Sequence, residues 1–559
     1  MKNILIVNLK RFGDVFTTAH IVNSYVTENP NNKVSLLVFK EFERAAKNIA
    51  NVDQVFTIDR EKFLTFSKNK IFSNAFSLEK LFKDLQEIKS KDWDHVFNYS
   101  NDRVSTHLCS FFKPNATNTI GLTFSNTCSI EYSSEWDIVF NDVLTSYKYS
   151  PINFVDTYHK MANLNKAKRS TVLKTNDEHN KAAFTNLSQI RKGDSETEQE
   201  AKKIIGIQIT ASANRKELSR NELISLIDEI AADERYCPVL LMAPTERERE
   251  IVRSINSEFN DSLISIEADF LALNSVLMNL DLLITPDTAV KHAADLLNTP
   301  TIELSLAEAP LFKQGATNED SIIISKRVDH RYFTIKEWND HKEHQYQAIK
   351  HTDILMAVEF LLEGKLLDNQ ALSSDITVYQ PVADKLGTRL EAIAGFKNPS
   401  IEINRLLGRQ FINHFFGQGE DNTIFSSASL FSKEDTTIWL NESKELLTDF
   451  TKDLLGTLRS LLQSKDNSRE EFVGNLAGLL DYCEGLNIAS IPAIIFRARL
   501  EVLNTQDLDS SIKEIEGLLY ELKGDLQKLH KTIKSFEDFI FTKGKEDRMF
   551  SRRGPSATI

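Results

Sequence analysis

Three short segments of the chain combine small residues, hydroxyls and charges in patterns suited to phosphate or sugar chemistry. The first is Asn8-Leu9-Lys10-Arg11-Phe12-Gly13-Asp14-Val15, where an apolar run gives way to a helical pattern. Gly13 lets the main chain turn tightly and approach a ligand. The helix that follows offers unpaired N–H groups and the positive end of its dipole to an anion. Asp14 has two compatible readings, a helix cap or a carboxylate base facing a cleft. The second segment is Thr210-Ala211-Ser212-Ala213-Asn214-Arg215-Lys216. Hydroxyls followed by Arg-Lys at a strand's carboxyl end can hold a diphosphate, and equally describe an exposed basic loop. The third is Ile284-Thr285-Pro286-Asp287-Thr288-Ala289-Val290-Lys291-His292. Here Pro286 turns the chain, and Thr288 with the free N–H groups near Ala289 can bind phosphate oxygens. The plain alternative is an Asp287 cap on an ordinary helix, with His292 a core histidine one turn in.

Other chemistries find less support. Asp92-Trp93-Asp94 has the spacing of a metal-binding acidic pair, but it leads into an apolar run and reads as a solvated lead-in. GxGxxG, P-loop, HExxH and GxSxG patterns are missing, which argues against dinucleotide oxidoreductases, P-loop kinases, zincins and serine hydrolases. A net charge of -13 gives no basic field to recruit nucleic acid. The 4 cysteines lie far apart, so neither a zinc site nor a disulfide framework is suggested, and reduced thiols in a cytoplasmic protein are expected. The apolar run Ile4 to Val7 is too short for a signal peptide, and Lys10, Arg11 and Asp14 follow it closely. No stretch reaches the length of a membrane span, so any membrane association is peripheral.

The elements that position these segments follow from periodicity. A chain of 559 residues fits about three domains. Ile4 to Leu9, Lys33 to Phe39, Val55 to Ile58, His95 to Tyr99 and Thr119 to Thr123 read as strands separated by helical stretches. That order predicts a doubly wound parallel sheet over residues 1–185. Residues 186–203 are polar and read as a linker. Alternation restarts at Ile204 and continues to 368, a second α/β lobe of the same kind. From there to 545 an all-α helical domain is expected, with helices over 378–395, 400–415, 434–464, 470–486 and 490–503. Ile512, Ile515, Leu519, Leu522, Leu526, Leu529, Ile533, Phe536 and Ile540 form a heptad seam, which fits an antiparallel bundle or a dimerising coiled coil. Residues 546–559 read as a disordered tail.

Taken together, the motifs over about residues 1–365 resemble glycosyltransferase family 9, the heptosyltransferases. The resemblance is carried by Ile4 to Val7 with Gly13-Asp14 and Thr17-Thr18, by Phe154-Val155-Asp156-Thr157-Tyr158, and by Lys216-Glu217-Leu218-Ser219. Ala243-Pro244-Thr245-Glu246 continues it. The most specific piece is Asp287-Thr288-Ala289-Val290-Lys291-His292 with Ala293-Ala294 and Thr299-Pro300 after it. The resemblance implies two Rossmann-like lobes in the GT-B arrangement, with a nucleotide-diphosphate sugar donor in the second and an acceptor in the first. It implies inversion at the anomeric carbon with no metal or other cofactor, and it favours an ADP-sugar. It makes Asp14 the general base and Lys216 the cation that neutralises the departing diphosphate. Gly13, Thr210, Asp287, Thr288 and Ala289 would contact the donor, Glu246 the nucleoside, and His292 would bind the donor or serve the structure. The acceptor would be a cell-envelope glycan, lipopolysaccharide or protein, and the location cytoplasmic or peripheral at the inner membrane.

The sequence departs from the family in three places. The aromatic-proline pair after Lys216 is lacking, Lys10-Arg11-Phe12 is bulkier and more basic, and the C-terminal helices lie outside the resemblance. Those helices suit a protein partner or self-association. The departures keep two other readings open: a non-catalytic scaffold on a degenerate GT-B fold, and an epimerase-like enzyme acting on a nucleotide sugar.

Overall fold

The computed structural model describes all residues except 69–73, 147–149, 168–171, 193–200, 308–310, 328–347, 420, 422–432, 468–469, 471–473, 479–489, 504–506 and 552–559. Two compact units are present, one formed by residues 1–137, 154–382 and 390–397, the other by 138–153, 383–389 and 398–559.

The first unit holds both α/β lobes. In lobe one, β1 (Asn3–Val7), β2 (Lys33–Phe39), β3 (Val52–Ile58), β4 (Trp93–Asn98) and β5 (Ala116–Ile120) form a parallel sheet in the order β3-β2-β1-β4-β5. Ile4, Leu5, Ile6 and Val7 are wholly buried. A strand covered on both faces must be apolar at successive positions, which is why this run lacks polar alternation. Two short strands, β6 (Thr123–Phe124) and β7 (Ile130–Glu131), form a separate antiparallel pair.

Lobe two contains β8 (Lys203–Gln208), β9 (Tyr236–Met242), β10 (Ile264–Glu267), β11 (Leu282–Pro286), β12 (Thr301–Ser305) and β13 (Ile322–Lys326), followed by β14 (Ile376–Asp384) and β15 (Gly387–Gly395). Their order is β10-β9-β8-β11-β12-β13-β14-β15, with β14 antiparallel to β13. In each lobe the strand order reverses beside the first strand, between β1 and β4 and between β8 and β11. Such a switch point opens a crevice at the carboxyl ends of the strands, where loops from non-consecutive strands meet. Pairing of Ile205 with Leu282 and of Ile207 with Ile284 brings the loops after β8 and β11 side by side.

Several sequence expectations change. The helix expected over 378–395 is instead the β14–β15 hairpin, so lobe two's sheet runs past residue 368. Burial alternates from Tyr379 to Val382 and from Leu390 to Gly395, the period of a half-covered hairpin, and Gly387 takes the positive φ of 124° at its turn. β10 is a further edge strand that the sequence reading did not include. Of the proposed linker, residues 186–192 belong to the helix Asp177–Lys192, while 193–200 lie outside the described residues. The C-terminal helix runs Leu508–Ser551, so 546–551 are helical, and the remainder of the expected tail lies outside the described residues. Most of the helix expected over 470–486 also lies outside them.

The second unit packs the helices Pro399–Phe415, Lys433–Asn467, Ser490–Glu501 and Leu508–Ser551. Seam residues Ile512, Leu519, Leu522, Leu526, Leu529, Ile533 and Phe536 are buried within this single chain, as an intramolecular bundle requires. Its interior also holds a charged group: Arg409 donates to both Asp384 oxygens, at 2.6 and 2.5 Å, and to the main-chain oxygens of Pro151 and Gly387.

Candidate functional site

A cavity of about 1430 Å³ opens between the two lobes of the first unit, at the carboxyl ends of β1, β8, β9 and β11. Gly13, Asp14, Thr210, Lys216, Asp287, Thr288, Ala289 and His292 all line it. Residues up to 279 positions apart in sequence thus share one wall system because each follows a strand at a switch point.

On the lobe-one side the turn after β1 is built around Asn8. Its side-chain amide donates to the main-chain oxygen of Asp14 at 2.9 Å and to Thr18 Oγ1 at 2.7 Å, and its own Oδ1 accepts from the N–H of Lys10. This fixes where the helix Phe12–Glu28 begins. Asp14 occupies the first turn, and its Oδ2 accepts from the Arg11 N–H at 3.2 Å. It therefore does part of the capping work and still presents a carboxylate to the cavity. Burial raises its pKa above the usual 3.8, against the opposing pull of the Arg11 hydrogen bond and the Lys10 charge.

At Gly13 the two lobes pack tightly against each other. A Cβ there would sit 2.8 Å from His292 Cδ2 and 3.9 Å from Ala289 Cα. Burial, and next the neighbouring Lys291 charge, push the His292 pKa down to about 3, so its ring is neutral. Two helix N-termini, those of Phe12–Glu28 and Ala289–Leu297, meet here and direct their positive ends at the same space.

On the lobe-two side Lys216 Nζ lies 3.3 Å from Asp287 Oδ2, and Lys291 Nζ lies 3.1 Å from Asp287 Oδ1. Burial alone would raise the Asp287 pKa, but the Lys291 and Lys216 charges outweigh it and hold the carboxyl well below its usual range. Thr285 and Thr288 hydroxyls donate to Gln208 Oε1, at 2.6 and 2.7 Å, which ties the end of β8 to the helix start after β11. Thr288 makes no side-chain cap of its own, leaving the first N–H groups of that helix to a ligand.

Glu246 stands apart. It is exposed, pairs with Arg253 and Arg249, and does not line the cavity. Glu248, on the same helix after the Thr245 cap, lines it instead and accepts from the Ala243 N–H at 2.6 Å. Asp92-Trp93-Asp94 is structural: Trp93 is buried and Asp94 accepts from the Asn3 N–H. The sequence reading also missed Gln208, Gln314 and Phe270. Phe270 of lobe two stacks on Phe12 with ring centroids 5.5 Å apart and meets Phe16 edge-on at 5.1 Å. An aromatic at the start of a lobe-two helix was the available signal, but its partners lie in the other lobe.

Residues 85–342 match glycosyltransferase family 9 (heptosyltransferase). The match includes Thr210, Lys216, Asp287, Thr288, Ala289 and His292, while Gly13 and Asp14 precede it. A glycosyl transferase family 9 structure from Veillonella parvula is 17% identical, covering 65% of this chain and 98% of its own, with a TM-score of 0.49. An E. coli heptosyltransferase WaaC structure with ADP is 15% identical, covering 62% of this chain and 100% of its own, with a TM-score of 0.41. An E. coli ADP-heptose lps heptosyltransferase II is 12% identical, covering 58% and 90%, with a TM-score of 0.38. No curated protein matches the chain. Among the described residues no helix is long and apolar enough to cross a membrane.

Proposed function

We propose that this glycosyltransferase inverts the anomeric centre as it moves a sugar, a heptose or hexose, from an ADP-sugar to a hydroxyl of a cell-envelope glycan, lipopolysaccharide or protein. The acceptor oxygen forms a bond to the anomeric carbon as the bond from that carbon to the diphosphate oxygen breaks. Asp14 takes the hydroxyl proton, and the nucleoside diphosphate leaves with the bonding electrons. Lys216 and the helix N-terminus at Thr288-Ala289 offset the charge that grows on the leaving diphosphate. Thr210 and Asp287 border the donor, and Glu248 rather than Glu246 faces the nucleoside end. His292, neutral and packed on Gly13, keeps the lobes in contact.

The observation that supports this reading is the shared cavity. A half-buried lobe-one carboxylate with a raised pKa shares one cavity with a lysine and a helix N-terminus that lacks a side-chain cap, the last two within the residues that match family 9. The test is a thermal-shift screen with ADP, UDP, GDP and CMP, followed by turnover of the Asp14→Asn variant. A nucleotide that binds the native state raises its melting temperature by mass action. Loss of a general base should cost roughly 10²–10⁴-fold in rate with nucleotide binding retained. Unchanged turnover removes Asp14 as base, and no shift with any nucleotide favours the scaffold.

A further inference from the structure

The segment that follows the short helix Leu311–Gln314 is held in place by three ionic side chains. Lys291 Nζ donates to the main-chain oxygen of Gln314 at 2.6 Å. Glu303 Oε2 accepts from the Ala316 N–H at 2.8 Å. Asp295 Oδ1 accepts from the N–H groups of Thr317 and Asn318, at 2.8 and 2.7 Å. A Cβ at Gly315 would lie 2.6 Å from Leu311 O and 2.8 Å from Ile323 Cδ1, so the chain is also pressed against the sheet there. The backbone of Gln314 is therefore over-determined.

From that fixed position the Gln314 side chain reaches lobe one and donates from Nε2 to Asp14 Oδ1 at 3.2 Å. Asp14 Oδ2 already accepts from Arg11. Each carboxylate oxygen is thus held by a donor from a different lobe. Lys291 is 1% exposed and does not line the cavity, so it acts through its neighbours. The same ammonium lies 3.1 Å from Asp287 Oδ1 and 3.7 Å from Glu303 Oε1.

We propose that Gln314 and Lys291 are positioning residues: Gln314 orients Asp14 from the opposite lobe, and Lys291 keeps Gln314 and Asp287 in register. The base and the diphosphate pocket then come into working geometry together, only when the lobes are closed. This rests on Asp14 being the base. Placement at this scale matters, since a misplacement of about 1 Å can cost roughly 10²-fold in rate.

Besides Gln314, Asp14 is faced by Lys10 and Arg11 on its own loop, by Asp287 across the cleft and by Tyr99 and Tyr158 of lobe one. These stay in place in Gln314→Leu, so that variant isolates the amide. The experiment reads the titration of Asp14 by carboxyl-carbon NMR of aspartate-labelled full-length protein, with its signal identified by loss in Asp14→Asn. An N–H bonded to a carboxylate favours its charged form. In Gln314→Leu the Asp14 midpoint is therefore expected to rise by about one unit, with the ADP dissociation constant measured by calorimetry unchanged. In Lys291→Met the same rise is expected together with roughly tenfold weaker ADP binding, because Asp287 and Lys216 lose their anchor. An unmoved Asp14 midpoint in Gln314→Leu overturns the proposal, whether or not Lys291→Met folds. If Asp14→Asn still turns over, the base assignment fails separately, and if wild type binds no ADP, the choice of an ADP-sugar donor fails separately.

Discussion

Replacing Gly13 by alanine tests whether the lobes must touch. The added methyl carbon would lie 2.8 Å from His292 Cδ2, where carbon atoms in contact prefer about 3.5 Å. Roughly 0.7 Å of overlap must be relieved by moving the His292 ring or by parting the lobes. Overpacking of this kind costs about 1–3 kcal/mol. Set against closure, that corresponds to roughly 5- to 150-fold weaker binding of a ligand held by both lobes. Lobe one itself should not suffer, since alanine is the better helix former by up to about 1 kcal/mol. The assay is calorimetry with ADP alongside thermal melting, for Gly13→Ala, His292→Ala and the double variant. Removing the ring makes room for the methyl, so the double variant should bind no worse than His292→Ala alone, the signature of direct contact in a double-mutant cycle. Additive losses, or a Gly13→Ala protein that binds like wild type, would refute the close approach as the cause.

Three further outcomes follow from the same geometry. Because burial raises the Asp14 pKa, folding favours its protonated form; its ionisation costs stability as pH rises from the unfolded value through the raised folded one. Asp14→Asn should therefore melt no lower than wild type at neutral pH, with the two converging below the ordinary value of 3.8, and a clearly lower melting point at neutral pH contradicts this. Wild-type turnover should in turn be lost as pH falls through that raised value. Lys216→Ala should weaken ADP binding roughly ten- to a hundredfold, as expected for one charge-assisted contact, while Asp287 keeps its Lys291 partner; calorimetry decides it. In the helical unit, Arg409→Met removes the two-bond partner of the buried Asp384 carboxylate and leaves it only Arg389 at 3.5 Å, and denaturant titration of the full chain should show that unit losing at most about 3–5 kcal/mol.

Much of lobe architecture was legible in the sequence, because a strand buried on both faces announces itself through consecutive apolar residues such as Ile4 to Val7. Gly13-Asp14 and Asp287-Thr288 were legible for a related reason. A turn from strand into helix needs a permissive or capping residue, and the same turn exposes the N–H groups that bind anions. The seam from Ile512 to Phe536 was readable as a helix, but its partner was not, since a heptad repeat records only the apolar face and not what covers it. Tertiary structure alone assigned that face to the same chain. It also turned residues 378–395 into an edge hairpin, where pairing to β13 overrode a weak local preference. Gln314, Lys291 and Gln208 had no sequence signal because their roles are defined by partners brought near only by sheet order. Glu246 and Glu248 show the limit most simply. Both follow the Thr245 cap with like chemistry, and the rotation of one helix sends the first to solvent and the second into the cavity.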